Sequence, residues 1–333
     1  MRFLKRLFAV IIVLMVIYFL GPHPSHPVYN TSLSEVPSDA ASLEKYISQQ
    51  EAQHRIKPDN EARIVWANDS LKQKTEYAIV YLHGFSASQE EGNPVHRNIA
   101  KQFGCNLFLS RLSQHGVDTT DALYNMTADN LWESAKQAYA IGKQLGNKVI
   151  LMGTSTGGTL ALQLAAAYPE IAGLVLYSPN MAVNDPNAWL LNNPWGLQIA
   201  RLVKKSDFNT AKNNTPEYKQ YWNYQYRLEA IVQLEELLET AMNTTTFTKV
   251  KQPTLTLYYY KDEQHQDPVV KVSAMKEMMA GISTPANQKK MVAIPEAGNH
   301  VLASPIQSND IVRVERETVI FLKETVHLPL VQH

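Results

Sequence analysis

The chain has 333 residues, 45% of them apolar and 19% charged, which suits one large domain with a substantial core and an insertion. Its 31 Lys and Arg balance 31 Asp and Glu, so no basic excess exists to hold a phosphate backbone, and this argues against nucleic acid as a partner. Cys105 is the only cysteine; this excludes an internal disulfide and zinc sites built from paired cysteines, and the thiol, opening an apolar run, reads as buried and inert.

Arg2, Lys5 and Arg6 precede an unbroken apolar run from Leu7 to Leu20, which Gly21, Pro22, Pro24 and Pro27 then stop. A basic start with no small-residue cleavage site reads as an uncleaved signal anchor over residues 1–20. It would attach the protein to a membrane with the rest of the chain on the non-cytoplasmic side, periplasmic or extracellular. Secretion after signal-peptide cleavage is the alternative. Residues 21–40 are rich in Pro and Ser and read as an extended linker. His23 and His26 within it read as solvated, not as metal ligands.

From about residue 62 the pattern alternates. Arg63–Ala67 and Tyr77–Leu82 read as strands, the second ending in His83-Gly84. Asn93 is placed to cap a helix with Pro94 at its first position, closed by Gly104. Asn106–Leu112 reads as a strand. Thr127 is placed to cap a helix in which Leu131, Ala135, Ala138, Ile141 and Leu145 recur at helical spacing, ended by Gly146. Val149–Met152 follows as a buried strand, Thr159–Ala167 as an Ala/Leu-rich helix and Leu174–Tyr177 as another strand. Thr254–Tyr260 and Lys290–Ile294 supply two more, with helices around Val270–Met279 and Asp310–Glu324. Strands alternating with helices predict a mostly parallel sheet covered on both faces. Residues 181–250 break the alternation with helix-like stretches such as Leu228–Met242 and the aromatics Tyr218, Tyr221, Trp222, Tyr224 and Tyr226. They read as a helical cap inserted between residues 41–180 and 251–333, which form the core domain.

The chemistry concentrates in four places. Gly153-Thr154-Ser155-Thr156-Gly157 lies between the Val149–Met152 strand and the following helix. That strand–turn–helix context is what a G-x-S-x-G nucleophile elbow needs: Gly153 and Gly157 relieve clashes in a tight turn, and Ser155 sits at a helix N-terminus where free N–H groups favour developing negative charge. His83-Gly84-Phe85 follows an earlier strand, so the N–H groups of Phe85 and Thr156 are the candidate oxyanion hole. Two aspartates after the Thr254–Tyr260 strand compete for the acid. Asp262 stands at the usual distance, while Asp267 opens Asp-Pro-Val-Val before the next helix and is preferred. His300, in Ala-Gly-Asn-His after the last strand, is the candidate base. The chain order Ser, Asp, His matches one known hydrolase architecture.

These residues resemble the bacterial monoacylglycerol lipases and related carboxylesterases of the α/β-hydrolase superfamily. The likeness lies in His83-Gly84-Phe85-Ser86, Leu112-Ser113-Gln114-His115-Gly116, the run GTSTGGTLALQLA, Asp267-Pro-Val-Val and Gly298-Asn-His300-Val. It covers residues of about 76–180 and 253–325. It implies an α/β-hydrolase fold with an inserted helical cap and a Ser155–His300–Asp267 triad that hydrolyses monoacylglycerols or short-to-medium acyl esters through an acyl-enzyme. No metal or organic cofactor is implied, and the partner is a small ester or lipid substrate. Two departures bear on pocket shape: Thr156 stands where members commonly carry a bulkier residue, and the acid loop is longer. Two other functions fit the same residues. One is a serine aminopeptidase or acyltransferase, for which Glu229, Glu235, Glu236 and Glu239 would be available to hold a substrate ammonium. The other is a binding protein on a hydrolase scaffold without turnover.

Overall fold

The computed structural model describes residues 2–331. The strands are β1 (Arg63–Val65), β2 (Thr75–Leu82), β3 (Asn106–Leu109), β4 (Gly146–Thr154), β5 (Gly173–Tyr177), β6 (Phe208–Thr210), β7 (Gln225–Arg227), β8 (Thr254–Tyr258) and β9 (Lys289–Ala293). The helices are α1 (Arg2–Phe19), α2 (Ala40–Glu51), α3 (Val95–Gln102), α4 (Ala128–Leu145), α5 (Thr156–Ala167), α6 (Gly196–Lys204), α7 (Pro216–Tyr221), α8 (Leu228–Ala241), α9 (Thr244–Phe247), α10 (Val272–Gly281) and α11 (Ile311–Glu324).

A seven-stranded sheet runs in the order β1-β3-β2-β4-β5-β8-β9. Every neighbour pair is parallel except β1 with β3. The chain is an α/β-hydrolase-type α/β protein. Side chains of β2 divide between two cores: Ala78, Val80 and Leu82 face one side with α4 and α5, while Ile79 and Tyr81 face the other with α3 and α11. This is the period-two alternation of a strand, with both faces apolar because helices cover both. The sheet carries its chemistry at the carboxyl edge, where β3 and β4 flank β2 and the chain order switches direction.

Most expected elements form, with shifted ends. β4 starts at Gly146 itself, so Gly146 leaves α4 in an extended conformation and not as a left-handed cap. Asn93 does not cap α3; Pro94 takes the cap position without a side-chain bond. Thr127 does cap α4, in a reciprocal box with Asn130. Between β5 and β8 the chain forms α6, the short antiparallel pair β6–β7, α7, α8 and α9. Residues 22–32 are extended and lie along the body, fastened by Val28 N–H to Asp129, Trp132 Nε1–H to the Asn30 carbonyl, Lys136 to the Ser32 carbonyl and Tyr168 to the Thr31 carbonyl.

The amino terminus requires a correction. Among the described residues no helix is long and apolar enough to cross a membrane. α1 opens with Arg2, Lys5 and Arg6. Its apolar stretch Leu7–Phe19 covers only about 20 Å at about 1.5 Å per residue, against about 30 Å of hydrocarbon. The signal anchor, and the placement of the remaining chain beyond a membrane that rested on it, are not supported.

Candidate active site

Ser155 sits on the turn from β4 to α5 at φ 52° and ψ −118°, a region costly for any residue with a side chain and held only when its surroundings enforce it. They do. Its N–H donates to the Tyr177 carbonyl at 2.9 Å, and its carbonyl accepts from the N–H groups of Gly158, Thr159 and Asn180. A Cβ on Gly157 would lie 1.9 Å from the Leu82 carbonyl oxygen, and one on Gly153 would lie 2.5 Å from that of Gly157. Both positions therefore require glycine for space. The turn is buried, and Ser155 itself is 6% exposed.

The two aspartates separate cleanly. The Nδ1–H of His300 donates to Asp267 Oδ2 at 2.7 Å. Asp267 Oδ1 accepts from the N–H groups of Val269 and Val270, so the Asp-Pro-Val-Val turn orients the carboxylate. Asp262 instead binds His265 at 2.8 Å on the surface. Burial alone would raise the Asp267 pKa, but the His300 charge, its hydrogen bond and the two amides hold it below the ordinary value. Burial alone would lower that of His300, but Asp267 and Glu91 outweigh it and leave it raised. With Nδ1 donating, the neutral ring presents a lone pair at Nε2. That nitrogen has no hydrogen-bond partner in the protein. Ser155 and His300 line one cavity and are not hydrogen-bonded to each other there.

The loop after β2 is fixed by His83. Its Nε2 accepts from the Leu112 N–H and its Nδ1–H donates to the Gly84 carbonyl, so burial keeps it neutral. This histidine ties two loops together, and Phe85, two residues on, lines the same cavity as Ser155. Thr156 is the first residue of α5, whose opening amides have no intrahelical acceptor.

Ser155, His300, Phe85 and Glu91 share a cavity that the 181–250 segment lines with Tyr218, Trp222, Tyr226, Ile231 and Leu234. Tyr226 meets Phe85 edge-on at 5.0 Å, and Tyr218 stacks on Trp222 at 5.1 Å. A second cavity, lined by Leu190, Leu191, Ile199, Val203 and Leu228, shares Val183 and Ile231 with the first. The α8 carboxylates do not face the Ser155 cavity. Glu229 is bound to Arg201 and Arg227, Glu236 to Asn192, and Glu235 and Glu239 line a separate hollow with Lys271. The carboxylate that does face it, Glu91, was not singled out in the sequence. Glu90-Glu91 after a serine looks there like an acidic first helical turn on the surface, and only the fold buries it.

A family model described as serine aminopeptidase, S33, of the Hydrolase_4 group, matches residues 115–300. The chain belongs to this family. A thermostable monoacylglycerol lipase of Bacillus sp. (strain H-257) is 27% identical over 190 residues, covering 57% of this chain and 71% of that protein. Among solved structures, one from the metagenome-derived lipolytic enzymes LipS and LipT aligns with a TM-score of 0.65 and 18% identity over 81% of this chain and 99% of that one. The Paleococcus ferrophilus monoacylglycerol lipase aligns with a TM-score of 0.57 and 14% identity, over 79% and 98%. At these identities the two structures speak to the fold. The Hydrolase_4 chain is a serine hydrolase of the esterase and lipase type.

Proposed function

We propose that the protein hydrolyses carboxylic esters of apolar acyl chains, monoacylglycerols among them, with Ser155 as nucleophile, His300 as general base and Asp267 as the acid that orients it. The observation that supports this reading is the buried Asp267–His300 pair, whose Nε2 has no hydrogen-bond partner, with His300 lining the same cavity as the strained Ser155. In the reaction His300 Nε2 takes the Ser155 proton while Oγ bonds to the ester carbonyl carbon, and the carbonyl electron pair moves onto oxygen. The N–H groups of Phe85 and Thr156 receive that oxyanion. Collapse breaks the bond to the alcohol, which leaves with the proton from His300. Water then repeats the sequence, giving its proton to His300 and its oxygen to the acyl group, and Ser155 recovers its proton. Asp267 keeps Nδ1 protonated throughout and stabilises the imidazolium.

The apolar cavity behind Ile231 supports an acyl-chain substrate, as does the likeness to a monoacylglycerol lipase. Peptide cleavage by an aminopeptidase finds less support, because none of the four α8 carboxylates faces the cavity.

The full chain is expected to hydrolyse p-nitrophenyl acyl esters and to be labelled by a fluorophosphonate. Ser155→Ala should lose both, the rate falling by about 10⁴-fold or more. An unchanged rate in that variant sinks the proposal, and an unreactive Ser155 would favour a binding protein instead. The active base is neutral imidazole and its pKa is raised, so the rate should fall as pH drops through a value above the ordinary histidine value of about 6.5. A pH–rate profile of kcat/KM checks this.

A further inference from the structure

Glu91 is 2% exposed, and among the described residues no Lys or Arg pairs with it. Its Oε2 accepts the Gly84 N–H at 2.5 Å, the amide just before the candidate oxyanion donor Phe85. A Cβ placed on Gly84 would lie 2.9 Å from both carboxylate oxygens and 3.1 Å from Ser155 Cβ. The carboxyl thus packs on the loop that faces the nucleophile, and it lines the cavity of Ser155 and His300. Tyr81 of β2, Tyr218 and Trp222 of the insertion, and His300 surround it. Of these only His300 can carry positive charge, and the only other carboxylate acting on His300 is Asp267. Such a group is expensive to bury without a cation. Nothing in the triad reading uses it.

We infer that Glu91 is a positioning residue of the hydrolytic site: its carboxyl holds the oxyanion loop through the Gly84 N–H and presents a second negative charge to the imidazolium of His300. This rests on the triad reading above. The two tasks are separable by chemistry. Holding the loop needs an acceptor of the right reach, whereas balancing the imidazolium needs charge. Burial pushes the carboxyl up to about 7, offset in part by the Gly84 amide, His300 and Trp222.

Two variants separate the tasks. Glu91→Gln keeps an acceptor for Gly84 and removes the charge. His300 then holds its proton less tightly, so the acid limb of kcat/KM should move to lower pH by about half a unit or more, and the high-pH plateau of kcat should fall because the imidazolium formed during attack loses that charge. Glu91→Asp keeps the charge and falls short of Gly84, so the acid limb should stay while the plateau kcat drops about tenfold with little change in KM. An unmoved acid limb in the Gln variant, or a wild-type plateau in the Asp variant, overturns the inference. The wild type supplies a test that no folding defect can spoil. Its infrared spectrum should show a carboxyl band, lost in Glu91→Gln, that shifts when a fluorophosphonate modifies Ser155, and absence of that shift also overturns it. Glu235 is likewise pushed up to about 7, but it lies in another hollow, so its band should not respond to the phosphonate. Should the wild type neither turn over esters nor take the label, the triad reading fails first. An active wild type with indifferent Glu91 variants would strike only this inference.

Discussion

The sheet edge that carries Ser155 and the 181–250 segment that roofs it are built to different tolerances. At the elbow, backbone packs on backbone: Gly157 lies against Leu82 and His83, Gly153 against Gly157, and Gly158 against Pro179. Even one methyl group has no room there. The roof is looser. Its β6–β7 pair is three residues per strand, Leu202 and Val203 of α6 are 78% and 74% exposed, and two cavities lie beneath it. It is tied to the core at separated points, among them Asn223 N–H to the Ser86 carbonyl, Arg227 N–H to the Ala122 carbonyl, and Lys57 to the carbonyls of Lys219 and Trp222. Bond-making demands fixed geometry and sits on the rigid part. On the proposed reading, selection among acyl groups needs volume and would fall to the part with room to yield.

The sharpest break in this comparison lies within the core, between two aspartates of one loop. Asp267→Asn should cut kcat by about 10³- to 10⁴-fold, because an amide no longer fixes the His300 tautomer or stabilises its charge. Asp262→Asn should stay within about twofold, since the side chain touches only exposed groups of its own loop, the Gln264 and His265 N–H groups and the His265 ring. Steady-state kinetics on one ester checks both, and comparable losses would mean that the acid is misassigned.

That contrast also shows what the sequence could reveal. Glycine spacing in GTSTGG, the Asp-Pro-Val-Val start and the histidine after the last strand all lie within a few residues of a strand end, where local rules apply. Reading Gly153 and Gly157 as glycines needed for space takes only the length of a side chain. Glu91 needed the whole fold, because burial depends on Tyr81, Tyr218 and Trp222 arriving from elsewhere in the chain. The amphipathic α2, capped by Asp39, and the β6–β7 pair passed unread. The first shows few apolar positions, and the second is too short for alternation to register. At the other end of the chain, the apolar run of α1 was legible, but its three charges and short length rule out the span that hydrophobicity alone suggested.

A smaller effect tests the roof. Ile231 of α8 belongs to the lining of both cavities. Ile231→Trp should fill space in both. The kcat/KM for long-chain p-nitrophenyl esters should fall about tenfold or more, with short-chain esters changed by less than about twofold, as the loss of one apolar subsite implies. Equal losses at every chain length would place the acyl group elsewhere and remove the division of labour between core and roof.

The smallest effect lies at the seam. Thr127 accepts the Asn130 N–H, and Asn130 returns the bond to Thr127, closing the first turn of α4. The next amide, Ala128 N–H, donates to Gln233 of α8, so this helix start is also a fastening point for the roof. Thr127→Ala removes the cap and should cost about 1 kcal/mol. For a domain of this size that lowers the thermal midpoint by roughly 2–4 °C or less. The proposed triad residues sit on the turns and loops that follow β4, β8 and β9, so kcat on a short ester should be unchanged. A loosened Gln233 contact should appear as a modest rise in KM for long-chain esters only. A fall in kcat of the same size for all esters would mean that the rigidity of the elbow extends through α4 into the roof, and that the two regions form a single mechanical unit.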